Sequence, residues 1–285
     1  MTTLEYAVYV TPSKPAVSDD LPPGEARRLW SPTASTLIYG ERDAVLVDPL
    51  MTIEESRALA AWVAATGKNL TTIFVTHAHG DHFFGAPALL ERFPDARLVS
   101  TAGVVKHMDA QYGPRWFDGF WDPRFPGQIS KTHLVAQPLG DDNLIELEGE
   151  QLHALELGHA DTDGSSALHV PSLGLVVAGD AVYGDVHLYL AESKGTGRTD
   201  WLAALDTIER LAPAAVVSGH KRDGDPDSPE DIARTRRYIQ DFAAAAEKAT
   251  GYLDLYEAMI SRYPDRVNRG VLWNSAKAVT ASVGA

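Results

Sequence analysis

Residues 76–82 read Thr-His-Ala-His-Gly-Asp-His, which places His77, His79, Asp81 and His82 within seven positions. Neighbouring imidazoles repel one another once protonated and gain little by packing together, so something must gather them. A metal ion is the partner that fits imidazole and carboxylate together. The cluster follows directly on TTIFVT (71–76), a short β-branched run with the character of a buried strand. Whatever fold the chain adopts must therefore carry a strand end to the site. In extended chain, residues i and i+2 point the same way, so His77 and His79 reach one point. Gly80 lets the chain turn sharply. Asp81 and His82 then open a helix and address a second spot nearby, a geometry that suggests two adjacent metals.

Three other apolar runs end in the same way. His159 follows LHALELG, Asp180 follows LGLVVAG and His220 follows AAVVSG. Each is a strand-like run, then glycine, then a histidine or aspartate. Strand ends are rigid mounts of the kind a coordination site requires.

The rest of the chain supplies a mixed framework. LIYGERDAVLVD (37–48) reads as a hairpin about residues 40–43, and 53–66 as a helix with Thr52 and Glu55 at capping-box spacing. Helices are predicted at 82–93, 102–110, 199–212, from Ser228 to about Ala249, and at 252–262. Strands are predicted at 71–76, 96–100, 214–220 and in several short runs from 132 to 178. The segment 264–285 shows no decisive pattern. Residues 111–130 show neither period, yet hold Tyr112, Trp116, Phe117, Phe120, Trp121 and Phe125 among prolines and glycines. Two readings stand: an irregular loop that packs its rings on the core, or an aromatic lid over a pocket.

Composition narrows the chemistry. The 285 residues include no cysteine, which excludes disulfides, thiolate metal sites and cysteine nucleophiles. A net charge of −14, from 25 basic and 39 acidic residues, disfavours nucleic-acid binding. The opening MTTLEYAVYVTPSKPAV lacks a basic segment followed by an apolar one, and no window approaches a membrane span. The expectation is a cytoplasmic protein with a small-molecule substrate, no nucleic-acid or membrane partner, and an oligomeric state that the sequence does not give.

The succession T-H-x-H-x-D-H, G-H, G-D and a strand ending in G-H, spread over roughly residues 34–224, resembles the metallo-β-lactamase-fold superfamily. That resemblance implies an α/β chain, specifically an αββα sandwich of two mixed sheets flanked by helices, with metals at one edge. Residues 1–225 would form that body, and 226–285 a C-terminal helical extension packed on it. Carried over by position, His77, His79 and His159 would bind a first metal, Asp81, His82 and His220 a second, and Asp180 would bridge them. Imidazole and carboxylate ligands suit two zinc ions, with iron or manganese as alternatives. Metals about 3.5–4 Å apart can share a hydroxide as nucleophile. Asp81 would orient it or take its proton.

Within the superfamily the chain looks like the glyoxalase II and acyl-homoserine-lactone lactonase branch. Secreted β-lactamases of the best-known type carry a cysteine where this chain has Asp180. In the lactonases a tyrosine three residues past the bridging aspartate polarises the substrate carbonyl, and Tyr183 stands there. Trp116, Phe117, Phe120, Trp121 and His187 are candidates for the pocket wall. The segment GHADTDGSS (158–166) is two residues longer than the family's usual G-H-T-x-G-S and adds Asp161 and Asp163. The reading is a dinuclear metal hydrolase of a small ester, lactone or thioester. Its alternatives are a phosphodiesterase or phosphotriesterase, an iron-dependent persulfide dioxygenase, and a non-catalytic metal-binding module.

Overall fold

The computed structural model describes residues 3–280. In chain order the elements begin with strands β1 (Glu5–Val10), β2 (Lys14–Ala16), β3 (Arg28–Trp30), β4 (Ala34–Tyr39) and β5 (Asp43–Val47). Helix α1 (Ile53–Ala65), strand β6 (Asn69–Phe74), helices α2 (Gly80–Phe83) and α3 (Ala86–Arg92), strand β7 (Arg97–Ser100) and helix α4 (Ala102–Gln111) follow. After a π-helix at Pro114–Trp121 and the short α5 (Asp122–Arg124) come β8 (Gln137–Pro138), β9 (Leu144–Leu147), β10 (Glu150–His159), β11 (Asp163–Val170) and β12 (Leu175–Tyr183). The chain closes with α6 (Gly197–Glu209), β13 (Ala215–His220), α7 (Glu230–Ala246), α8 (Tyr252–Arg262) and α9 (Arg269–Thr280).

Two mixed sheets carry the architecture. The first runs β1-β4-β5-β6-β7-β8, and the second β13-β12-β11-β10-β9. Side chains alternate across each strand, and the alternation divides the apolar residues into three layers. Ile38, Val45, Val47 and Phe74 of the first sheet face Leu168, Val177 and Val217 of the second, forming the core between the sheets. Their neighbours Leu37, Leu46 and Ile73 point the other way, into a core with Leu59, Val63 and Leu89 of α1 and α3. Val176 and Val216 likewise point out toward Trp201, Ile239, Phe242, Leu255 and Leu272 of the helices α6 to α9. Helix, sheet, sheet and helix are therefore stacked as the αββα expectation requires. The C-terminal helices cover the outer face of the second sheet, and the indecisive stretch after 264 supplies α9 as far as Thr280. The remaining residues, 281–285, lie outside the described ones.

Most local expectations hold with small shifts. Thr52 caps α1 as foreseen: its hydroxyl accepts from the Glu55 N–H while the Glu55 carboxylate bonds back to the Thr52 N–H. Ser228 receives the Glu230 N–H on its hydroxyl, although the helix proper starts after Pro229. The helix expected at 82–93 is two helices, broken at Phe84 and Gly85. The strand expected from 132 shrinks to Gln137–Pro138. Residues 114–121 are helical, which corrects the irregular-loop reading. Their turns are wide, with the Asp122 N–H donating to the Phe117 carbonyl five residues back, and a search for a 3.6-residue period misses that geometry.

Among the described residues no helix is long and apolar enough to cross a membrane. Because Thr52 is buried and its box closes the N-terminus of α1, Thr52→Ala is expected to cost about 1 kcal/mol. The cost should show as a lower urea midpoint at unchanged slope; an unshifted midpoint would show that the cap contributes nothing.

Candidate metal centre

The strand ends that carry the candidate ligands meet at one edge of the sandwich. β6 runs out into His77 and His79, and the one-turn α2 presents Asp81 and His82. β12 carries Asp180 near its end, and β13 ends on His220. The glycines before these last two residues have a steric reason. Gly179 has φ +51°, and a Cβ there would stand 2.4 Å from Thr76 Oγ1. A Cβ on Gly219 would stand 2.2 Å from Asp180 Oδ1. A larger residue at 179 would push the second sheet away from Thr76, and one at 219 would displace the Asp180 carboxylate.

Each imidazole is anchored through one nitrogen and presents the other. His77 Nδ1 lies 3.0 Å from Thr76 Oγ1, and His79 Nε2 lies 3.3 Å from Glu192 Oε1. His82 Nδ1 lies 2.9 Å from Asp48 Oδ2, and His220 Nδ1 lies 2.8 Å from the Pro32 carbonyl. The free nitrogens are then His77 Nε2, His79 Nδ1, His82 Nε2 and His220 Nε2. They face Asp81, Asp161 and Asp180 in three overlapping groups: His77, His79 and Asp161; His77, His82 and Asp180; Asp81, His82 and His220. Asp180 stands 3.2 Å from His82 Nε2 through Oδ1 and 3.1 Å from His220 Nε2 through Oδ2. Asp81 Oδ2 lies 3.5 Å from His220 Nε2 and accepts the Trp30 indole N–H at 2.9 Å.

The donor set fits metal ions. His77 Nε2, His82 Nε2, both oxygens of Asp161 and Asp180 Oδ1 are buried yet make no hydrogen bond. Orphaned buried polar atoms are costly, and the residues that carry these five all belong to the overlapping groups above. Among the described residues no lysine or arginine pairs with Asp81, Asp161 or Asp180, so their buried charge needs another cation. Without one, the imidazoles respond as a crowd. Burial and the neighbouring His82 hold His77 well below the usual histidine range. Burial alone would lower His82 too, but Asp180, Asp81 and Asp48 outweigh it and push it well up. Divalent ions would supply the charge that protons must otherwise carry.

His77, His79, Asp81, His82, Asp180 and His220 come together, whereas His159 belongs to none of the three groups. Its ring is tied at both nitrogens, with Nδ1 2.7 Å from Asp163 Oδ1 and Nε2 3.2 Å from Ser193 Oγ. Asp161, two residues on, stands beside His77 and His79 instead. The other histidines outside the site, His107, His133, His153 and His169, also belong to none of the groups.

A cleft opens over the centre. Its wall includes Trp30, Trp116, Phe120, Trp121, Tyr183 and Tyr189, with Val271 and Asn274 contributed by α9. Trp30 is the hub of this wall, edge-on to Phe120 at 6.1 Å and to Trp121 at 5.4 Å. Two pocket candidates are corrected. Phe117 packs inward against Phe84 and Tyr112 and does not line the cleft. His187 is fully buried, 2.8 Å from the Tyr238 hydroxyl, and burial with Arg266 and Arg269 nearby pulls it down to about 3. Tyr183 does line the cleft, and its hydroxyl donates to Asp180 Oδ2 at 2.5 Å. Burial and Asp180 keep that phenol protonated, well above its ordinary range.

Sequence reasoning missed Trp30, Asp48, Asp161, Glu192 and Tyr189. Asp48 had a signal, since VLVDP is one more apolar strand ending in an acid. It has a left-handed φ of 59° and also accepts from the Thr76 N–H and hydroxyl, each at 2.8 Å.

Comparisons with known proteins place this geometry. A family model described as the metallo-beta-lactamase superfamily matches residues 28–220. Hydroxyacylglutathione hydrolase from Francisella tularensis subsp. holarctica (strain FTNF002-00 / FTA) is 34% identical over 67 residues, 24% of this chain and 25% of that protein. Hydroxyacylglutathione hydrolase from Actinobacillus pleuropneumoniae serotype 5b (strain L20) is 34% identical over 92 residues, 32% of each chain. The chain thus spans 25% to 32% of the length of these curated relatives. A metallo-beta-lactamase family protein from Thermus thermophilus superposes with TM-score 0.64 at 20% identity, over 95% of this chain and 91% of that one. A metallo-beta-lactamase from Pontibacter korlensis does so with TM-score 0.59 at 17% identity, over 84% and 99%. At such identities the structural likeness shows the fold.

The anchoring of His82 by Asp48 predicts that Asp48→Ala weakens zinc binding roughly 10- to 100-fold in competition with a chromophoric chelator. Unchanged affinity would show that His82 needs no such support.

Proposed function

This chain belongs to the metallo-β-lactamase superfamily, and from that premise we propose that it is a dinuclear metal-dependent hydrolase of a small ester, lactone or thioester. The observation that carries the reading is the set of five unpartnered ligand atoms beneath an aromatic cleft that also holds Tyr183. His77 and His79 would hold one ion, Asp81, His82 and His220 the other, with Asp180 between them. Zinc suits this set, and iron or manganese are compatible with it. Bound there, such ions supply Lewis acidity toward a carbonyl oxygen and lower the pKa of water to near 7.

The chain's own groups do the rest. Asp81, fixed by the Trp30 N–H, orients the attacking water and can receive its proton at a carboxylate oxygen. Tyr183, held neutral, would turn its one hydroxyl proton from Asp180 to the oxygen that gains charge as the carbonyl is attacked. The rings of Trp30, Trp116, Phe120 and Trp121 exclude water and offer an apolar surface to the acyl part of the substrate. Three buried carboxylates against two divalent ions leave little net positive charge at the centre. That balance, within an aromatic wall, favours an uncharged carbonyl compound over a phosphodiester. The partial likeness to hydroxyacylglutathione hydrolases supports a carbonyl substrate as well.

The test is a panel of p-nitrophenyl acetate, a γ-lactone, an acyl thioester and bis-p-nitrophenyl phosphate, each run with and without prior chelation. Chelator-sensitive cleavage of at least one carbonyl substrate, well ahead of the phosphodiester, is expected. Cleavage of the phosphodiester alone, or none that chelation removes, would contradict the reading. Tyr183→Phe is expected to lower kcat by roughly 10- to 100-fold with little change in KM. An unchanged kcat would remove Tyr183 from the chemistry.

A further inference from the structure

The turn between β10 and β11 holds both His159 and Asp161, and the two residues differ in one decisive respect. His159 has no nitrogen to spare, because Asp163 and Ser193 occupy both. Asp161 is 0% exposed, and neither of its carboxylate oxygens accepts a hydrogen bond. Its Oδ2 stands 2.7 Å from His79 Nδ1 and 3.7 Å from His77 Nε2. A buried carboxylate at that approach to two imidazoles, without hydrogen-bond geometry to either, has its lone pairs directed where a shared cation would sit.

The local backbone accounts for the exchange. β10 loses regular register with β11 between Glu156 and His159, and Gly158 has φ +74°. The break swings the His159 ring out of the centre and against α6, where a Cβ on Gly197 would lie 2.8 Å from its Nε2. The chain then turns tightly, with the Ala160 N–H donating to the Thr162 carbonyl, and Asp161 forms the apex of that turn. The Thr162 hydroxyl donates to Glu192 at 2.7 Å, and Glu192 also anchors His79. One carboxylate thus fixes both the turn that carries Asp161 and the imidazole beside it.

Resting on the metal-hydrolase reading, we propose that Asp161 and His159 have exchanged roles in this chain. Asp161 is the third ligand of the first metal, with His77 and His79. His159 is a positioning residue that latches the β10–β11 turn to Asp163 and to the segment before α6. The first site is then two imidazoles and a carboxylate, richer in oxygen than a three-histidine site and more hospitable to iron or manganese.

The experiment measures metal rather than turnover. Wild-type protein, Asp161→Asn and His159→Asn are stripped, reloaded with zinc alone, dialysed and analysed for zinc per chain, with far-UV circular dichroism as the check on folding. Asparagine at 161 keeps the shape but loses the charge, and asparagine at 159 can still reach Asp163. Folded Asp161→Asn is expected to lose one of the two zinc ions while His159→Asn keeps both. Cobalt loading gives a second readout: the visible spectrum should change in Asp161→Asn and match wild type in His159→Asn. Loss of zinc from His159→Asn, or full retention by Asp161→Asn, overturns the exchange. Wild-type protein that takes up no zinc overturns the metal reading together with it. Intact zinc binding without hydrolysis of any substrate counts against the hydrolase reading alone.

Discussion

Three carboxylates and four imidazoles, nearly all buried, are held at the edge of two sheets with their free atoms turned inward. Without a metal ion the carboxylates of this cluster are balanced only by protons on the imidazoles beside them, which burial opposes, and buried carboxylates without a cation are among the most costly arrangements a protein can hold. The rest of the molecule follows from keeping it in place. Each candidate ligand stands at a strand end or in the short segment that follows one, and each imidazole has its outward nitrogen fixed by Thr76, Glu192, Asp48 or the Pro32 carbonyl. The centre is therefore preorganised, and the cost of assembling it was met in forming the sandwich.

The two sheets divide the work. The first brings His77 to His82 in one short segment, and the second brings Asp161, Asp180 and His220 from three separate strands or turns. Their shared core of Ile38, Val45, Phe74, Val177 and Val217 fixes the distance between the two sets. Gly179 lets the second sheet close on Thr76, and Gly219 leaves room for the Asp180 carboxylate. The cleft above belongs to other parts of the chain: Trp30 before the first sheet's β4, the π-helix, and α9. Chemistry and specificity are thus built from different segments, which is how one fold comes to serve many substrates.

The ligand segment was legible because its signal is local. His77, His79, Asp81 and His82 sit within one turn of extended chain, and Asp180 and His220 announce themselves by a glycine after an apolar strand. The layers followed from the resemblance carried by the whole motif succession, because runs such as LGLVVAG are apolar throughout and mark only a buried strand. What stayed hidden depends on backbone detail that residue types do not encode. His159 carries the same strand–glycine–histidine signature as His220, yet a bulge and one left-handed glycine turn it away, and Asp161 stands beside His77 and His79. The π-helix at Pro114–Trp121 has no 3.6-residue period to detect, so its division into inward Phe117 and cleft-facing Trp116 and Phe120 could not be foreseen. Asp48 and Glu192 act through another residue, and a single acidic side chain carries no mark of that role.

This edge of the sandwich needs cations to complete it. The most direct test is thermal unfolding of chelator-stripped protein titrated with zinc. A ligand that binds only the folded state raises stability by roughly 2.7 kcal/mol at a hundredfold excess over its Kd. Tm is expected to climb by several degrees and to stop climbing at two equivalents of zinc per chain. A Tm that zinc does not move, in protein that is already folded, would contradict it.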